Sequence, residues 1–169
     1  MKRVISRITI TLVLLLVVVM AFVGCTTSIS VYGNLASSAS IAFQSGTQSD
    51  AISLIDGRGD TKWKGDASGD EPIIVVINFP MKVKFNKIVF DEDGERVSGY
   101  KIQIPSGNGV DNWRSIYEGT YFNKDGICTF ETVSSNQIRL LIDDSDGKFA
   151  IREIGIYYEE LGETQHRQD

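Results

Sequence analysis

Between Ala51 and Trp63 the chain reads Ala-Ile-Ser-Leu-Ile-Asp-Gly-Arg-Gly-Asp-Thr-Lys-Trp. These are the residue types of an oxygen-rich turn. Gly57 and Gly59 carry no Cβ and admit positive φ, so the backbone can curl tightly and aim carbonyls inward. The Asp56 carboxylate and the Thr61 hydroxyl stand beside those carbonyls, a donor set suited to a hard cation such as Ca²⁺. The same residue types also build an ordinary polar surface turn without metal, and composition alone leaves both readings open.

Other chemistry finds little support. The single histidine, His166, lies in the last residues, which leaves a Ser-His-Asp or Cys-His machine without its base. No phosphate-cradling glycine loop with its Lys-Ser/Thr pair is present, and no Cys/His cluster has zinc spacing. Two carboxylates would suffice for a glycosidase, but acids in surface turns are ordinary and a domain of this size offers little room for a deep cleft. The expectation is a non-catalytic domain. Asp144-Ser145-Asp146-Gly147 lacks the later glutamate of an EF-hand and reads as a turn. Arg58-Gly59-Asp60 spells an adhesion tripeptide, yet its glycine has a backbone reason to be there, and the match is read as coincidence.

The elements that must position the turn begin behind an amino-terminal signal. Lys2, Arg3 and Arg7 precede an apolar run from Leu12 to Val23, followed by Gly24 and Cys25. That run is short of the roughly 20 residues of a bilayer-spanning helix. Phe22-Val23-Gly24-Cys25 resembles a bacterial lipobox, which predicts a signal peptide over 1–24, lipidation of Cys25 and a tether over 25–33. The chain would then face the extracytoplasmic side of the bacterial cell envelope as a membrane-anchored lipoprotein. Across all 169 residues, 17 basic side chains meet 22 acidic ones for a net charge of −5, and three of the positives lie in the signal. An acidic chain without a basic stripe argues against nucleic-acid or anionic-lipid partners, though not against a local basic spot. With Cys128 the only other cysteine, the domain has no internal disulfide, and Cys128 reads as a small buried hydrophobe.

Short alternating segments follow. Ser49 and Asp50 are placed to cap a single helical turn over Ala51 to Ile55. Ile73 to Phe79, bounded by Pro72 and Pro80, reads as a strand buried on both faces. Val83 and Phe85 alternate in one register and Ile88 and Phe90 in the other, which places a bulge or tight turn at Asn86-Lys87. Further strands are predicted over Val97 to Ile104, around Trp113 to Tyr117, Ile127 to Thr132, Gln137 to Ile142 and Ala150 to Tyr158, with Trp113 a core anchor. Seven or so short strands and almost no helical period indicate an all-β, antiparallel β-sandwich over 34–160, with a fraying tail over 161–169.

Asp56, Gly57, Thr61 and Trp63 together resemble the opening motif of discoidin-like domains, the coagulation factor V/VIII type C domains and the related galactose-binding-like carbohydrate-binding modules. Asn34 to Ser40 resembles their first strand region, Ile138-Arg139-Leu140 their penultimate strand, and Ile151-Arg152-Glu153-Ile154 their closing motif. The resemblance spans Asn34 to Tyr158 and sharpens the sandwich to a jelly-roll of galactose-binding-like topology. It also implies a structural calcium site, with side-chain oxygens from Asp56 and Glu153, both the hydroxyl and the carbonyl of Thr61, and main-chain oxygens from Ser53, Arg58 and Arg152. Such a site would clasp the two ends of the domain where relatives use a disulfide.

The resemblance further implies a ligand surface at three loops, Lys64 to Glu71, Asp91 to Arg96 and Asp143 to Phe149. Phe149 would supply an aromatic face for a sugar ring, unless it plugs the core. Arg96 would supply a guanidinium fork, and Lys64, Asp66, Glu92 and Asp93 would be hydroxyl partners. Galactose-binding relatives often carry a histidine in the first loop, where this chain has none. The expected function is a membrane-anchored binding module that recognises a glycan. The alternative is an envelope protein–protein interaction domain that binds no sugar.

Overall fold

The computed structural model describes residues 33–45, 51–107, 111–122 and 126–160. The signal, Cys25, the proposed caps Ser49 and Asp50, and the tail over 161–169 lie outside the described residues. Among the described residues, seven antiparallel strands follow a first 3₁₀ turn: β1 (Ser40–Ser45), β2 (Trp63–Asp66), β3 (Ile73–Glu92), β4 (Val97–Pro105), β5 (Trp113–Gly119), β6 (Ile127–Ser145) and β7 (Lys148–Tyr157). A second 3₁₀ turn, Ala51–Leu54, precedes β2 where the single helical turn is expected.

The strand order is β2-β7-β3-β6-β4-β5, with β1 also on β3. Two long strands account for the sandwich. The first half of β3 pairs with β1 and with the second half of β6, while its second half pairs with β7 and with the start of β6. β4 joins only the second half of β6. The chain therefore serves one sheet of β1, β3, β6, β4 and β5 and another of β2, β7, β3 and β6. This is the antiparallel β-sandwich of the jelly-roll, galactose-binding-like class.

Several local expectations are corrected. Pro80 does not end a strand: Asn78 faces Gln137 and Val83 faces Ser135, so the residues between them form an irregularity that accommodates a proline without an N–H. The segments read at 127–132 and 137–142 are one strand for the same reason, since Val133 and Ser135 stay paired with Phe85 and Val83. Asn34 to Ser38 is not strand. Asn34 Oδ1 accepts from the Ala36 N–H at 3.0 Å, and the Ser37 and Ser38 hydroxyls donate back to main-chain carbonyls, which favours a turn. That same Asn34 oxygen accepts from the Ile156 N–H at 2.9 Å and ties the domain's start to its last strand. The bulge at Asn86 is as expected, with Phe85 opposite Val133 and Lys87 opposite Thr129.

The core lies between the sheets and is built from the alternating apolar positions, with Trp63, Phe85, Ile102, Ile142 and Ile151 fully buried. Burying side chains of this size stabilises by about 1.5–3 kcal/mol each relative to exposure. Cys128 is buried as expected, its Sγ 3.1 Å from the Tyr100 hydroxyl, and burial pushes its thiol up from the ordinary value. Trp113 is not a core anchor. It stands opposite Pro105 on the outer face, half-buried, with the Arg139 guanidinium 4.5 Å above its ring and the Arg139 Nε donating to Gln103 Oε1 at 2.7 Å. A cation over the indole face shields this tryptophan in place of the core.

Candidate functional site

The opening turn forms a clasp. Gly57 takes φ of +71°, a conformation that glycine adopts without Cβ strain. Asp56 Oδ1 accepts from the Arg58 N–H at 2.9 Å, and the Thr61 hydroxyl reaches Asp56 Oδ2 at 2.9 Å and the Arg58 carbonyl at 3.0 Å. Three of the expected calcium donors are therefore in mutual contact. Glu153 arrives from β7, its Oε2 accepting the Gly57 N–H at 3.1 Å across 96 residues of sequence. Its other oxygen, Oε1, is buried with no hydrogen-bond partner among the described residues. Burial, with Asp56 and Asp91 nearby, pushes the Glu153 carboxyl above the ordinary glutamate range. Arg152 stands at a bulge of the β3–β7 ladder, with Glu153 opposite Asp91 and Ile151 opposite Glu92. Ser53 lies buried in the preceding 3₁₀ turn.

A buried carboxylate oxygen without a donor is costly, and a second carboxylate close by adds repulsion. A cation would relieve both. The donors on hand are two carboxylates, a hydroxyl and carbonyls, which suit Ca²⁺. No group of three or more His, Cys, Asp or Glu side chains able to hold a metal occurs among the described residues, so the set does not match a zinc site.

Beside the clasp lies a hollow of about 890 Å³. The three expected loops do meet here: its lining includes Lys64 and Asp66 from β2, Asp93 and Arg96 from the β3–β4 loop, and Phe149 from β7. The loops are fixed to one another by the main chain. Asp93 N–H donates to the Ala150 carbonyl at 2.7 Å, Asp146 N–H donates to the Arg96 carbonyl at 2.7 Å, and Arg96 Nη1 donates to the Asp146 carbonyl at 3.1 Å.

Two of the expected ligand residues have other work. Phe149 is 2 % exposed, its ring packed edge-on to Trp63 at 5.5 Å and covered by Gly65. It lines the floor of the hollow but offers no open face for stacking. Glu92 does not line the hollow. Its Oε1 accepts the N–H groups of Arg96 and Val97 at 2.9 and 3.0 Å, which shapes the loop from within, and burial raises its pKa.

Asp60, Lys62 and Ala150 also line the hollow from outside the three expected loops, and Lys148 lines it from within the third. Lys148 is legible in hindsight from the β2–β7 register, which sets it opposite Asp66 on the face shared with Lys64. Lys62 is ion-paired with Asp93, whose other oxygen takes Arg152 Nη2 at 2.5 Å, and Arg152 Nη1 holds Asp91 at 2.6 Å. The hydrogen bond from Lys62 and the positive charge of Arg152 hold the Asp93 carboxyl below the usual range.

Against this geometry, the solved structures similar to the chain are informative for fold. Chitosan-binding module 1 of a chitosanase/glucanase from Paenibacillus sp. IK-5 is 23% identical with a TM-score of 0.61, covering 73% of this chain and 98% of that one. The family 32 carbohydrate-binding module of C. perfringens NanJ, solved with galactose, is 23% identical with a TM-score of 0.60, covering 74% and 97%. A Ruminococcus gnavus GH29 fucosidase, solved with fucose, is 22% identical with a TM-score of 0.62. There the match covers 77% of this chain but only 28% of the enzyme. No curated protein matches the chain. The F5/8 type C domain model matches residues 34–154, and the chain belongs to that discoidin-like family.

Proposed function

We propose that this chain is a non-catalytic carbohydrate-binding module, held at the bacterial cell envelope by a lipid on Cys25 and stabilised by one Ca²⁺. The observation that carries the reading is the meeting of three sequence-distant loops at one polar hollow. Lys64, Asp66, Arg96 and Lys148 surround it with hydrogen-bonding groups suited to sugar hydroxyls. Similar folds solved with galactose and named for chitosan binding support a glycan as the ligand class. With its aromatic floor buried, the hollow would grip a ligand through hydrogen bonds more than through ring stacking.

Calcium would be held by the side chains of Asp56 and Glu153, the hydroxyl and carbonyl of Thr61, and the carbonyls of Ser53, Arg58 and Arg152. Bound there, the ion supplies positive charge to two close carboxylates. This chain's own part is to bring β7 onto the opening turn, through the Glu153–Gly57 hydrogen bond. The role is structural, and the ligand is met at the neighbouring hollow. A glycan array probed with the full chain, with and without calcium, tests the reading. At least one glycan should bind, and Arg96→Ala should abolish that signal while circular dichroism stays native. Absence of any glycan signal from well-folded protein would contradict it.

A further inference from the structure

We infer that the hollow selects an acidic saccharide, one bearing uronate or sulfate groups, an inference that rests on the carbohydrate-binding reading above. Its lining carries four cations, Lys62, Lys64, Arg96 and Lys148, and three acids, Asp60, Asp66 and Asp93. Two of the acids are in ion pairs, and the third is held by a neutral serine. Asp60 is paired with Arg58, which lies outside the lining, at 3.0 Å. Asp93 is shared between Lys62 and Arg152. Asp66 accepts the Ser68 hydroxyl at 2.6 Å and the Ser68 N–H at 3.2 Å.

The cations are not matched in the same way. Only Lys62 is in an ion pair; Lys64, Lys148 and Arg96 are in none among the described residues. Lys148 faces Asp66 across the β2–β7 ladder but forms no ion pair with it, and the Asp66 carboxyl is held down first by the Ser68 hydrogen bonds and only last by Lys148. The Arg96 guanidinium donates to a carbonyl, that of Asp146, and not to a carboxylate. Three exposed unpaired cations against one unpaired carboxylate, that of Asp66, therefore leave an excess of positive charge at one concave site on a chain whose net charge is −5. Such a concentration focuses positive potential where the rest of the surface repels anions.

Phe149 is closed off beneath Gly65, so the usual stacking contribution to sugar binding is missing, and charge-assisted hydrogen bonds must carry the affinity. A carboxylate or sulfate accepts from an arginine fork and from ammonium groups at once, which a neutral hydroxyl cannot match. An amine-bearing saccharide would meet like charge.

Isothermal titration of the full chain separates the outcomes, with oligogalacturonate, a sulfated oligosaccharide, a neutral galactose-containing oligosaccharide and chitotriose as probes. One or both acidic probes should bind, and affinity should drop as salt rises from about 50 to about 500 mM, over which screening shortens strongly. Arg96→Gln and Lys148→Gln should each weaken binding by about tenfold or more, the size of a lost hydrogen bond to a charged group. Lys84→Gln, an exposed lysine outside the hollow, should leave it unchanged. Equal or tighter binding of a neutral or amine-bearing probe, insensitive to salt, would overturn the acidic-ligand inference while leaving a sugar module standing. Binding of none of the four by folded protein would overturn the inference. A glycan array empty as well would remove the sugar reading beneath it.

Discussion

Glu153 on the last strand accepts the Gly57 N–H at 3.1 Å, while its second carboxylate oxygen stays buried without a hydrogen-bond donor among the described residues. One hydrogen bond thus joins the opening turn to the closing motif, and one oxygen is left in want of positive charge. Burial raises the Glu153 pKa, and the nearby Asp56 carboxylate, bonded to Thr61, adds to the rise. Calcium should therefore act on stability before anything else. At about a hundred times its dissociation constant it would contribute about 2.7 kcal/mol, a rise in Tm on the order of 10 °C. Differential scanning calorimetry should show that rise in the wild type and none in Asp56→Asn or Glu153→Gln. An unchanged Tm on adding EDTA to calcium-loaded wild type would contradict the calcium assignment.

The pH dependence has a definite sign. In chelator, the folded state holds the Glu153 proton more tightly than the unfolded chain, because burial and two neighbouring acids raise its pKa above the ordinary 4.5. Its favourable contribution is complete below that ordinary value and is lost as pH rises through the raised folded one. Exposed Asp60, Asp66 and Asp93 are shifted downward and act in the opposite sense, so the comparison needs the Glu153→Gln variant as its reference. Urea unfolding should show the wild type losing ground to this variant as pH increases from about 4 to about 7 without calcium. With calcium the trend should reverse, since the ion needs the ionised carboxylate.

The two tryptophans should behave differently. Trp63 is fully buried and packed on Phe149, and its replacement by alanine should cost about 3–5 kcal/mol. Trp113 lies under Arg139 on the outer face, and Trp113→Ala should cost about 1 kcal/mol, the scale of an exposed cation–π contact. Chemical denaturation of both variants checks the contrast.

Gly65 offers a test of the closed aromatic floor. A Cβ there would come within 2.4 Å of Phe149 Cζ and 3.0 Å of Ile73 Cδ1. Gly65→Ala should destabilise by about 1–3 kcal/mol through overpacking. Phe149→Ala should cost about 3–5 kcal/mol, so any binding it loses would be accompanied by a lowered Tm. A Phe149→Ala variant with native stability and no glycan binding would show that the ring touches the ligand after all.

These residues also show what could be read without coordinates. Alternation identifies the core partners along β3, β4, β6 and β7, and the polar turn is legible because Gly57 and Gly59 let the backbone curl between Asp56 and Thr61. Alternation says which residues share a face but not which face is covered. Alternation therefore places Trp113 in the core, whereas its face is set by pairing with Pro105, beyond a register shift between Ile102 and Gln103. For a related reason the sequence leaves both readings of Phe149 open, of which the structure favours the core plug, and does not show that Glu92 braces its own loop. Whether a loop side chain points outward or braces its own loop depends on long-range partners, here Gly65 for the ring and the Arg96 and Val97 amides for the carboxylate. Lys62 and Asp60 were hidden by the neighbouring clasp, whose turn supplies residues to both sites.

The measurement closest to the central claim is backbone-amide NMR of the calcium-loaded chain during titration with a saccharide that binds it. Shift changes should cluster at residues 64–66, 93–96 and 146–150, the three loops around the hollow, with the Gly57 and Glu153 amides little moved. Changes centred on the outer face around Trp113 and Arg139, with the three loops silent, would contradict the account.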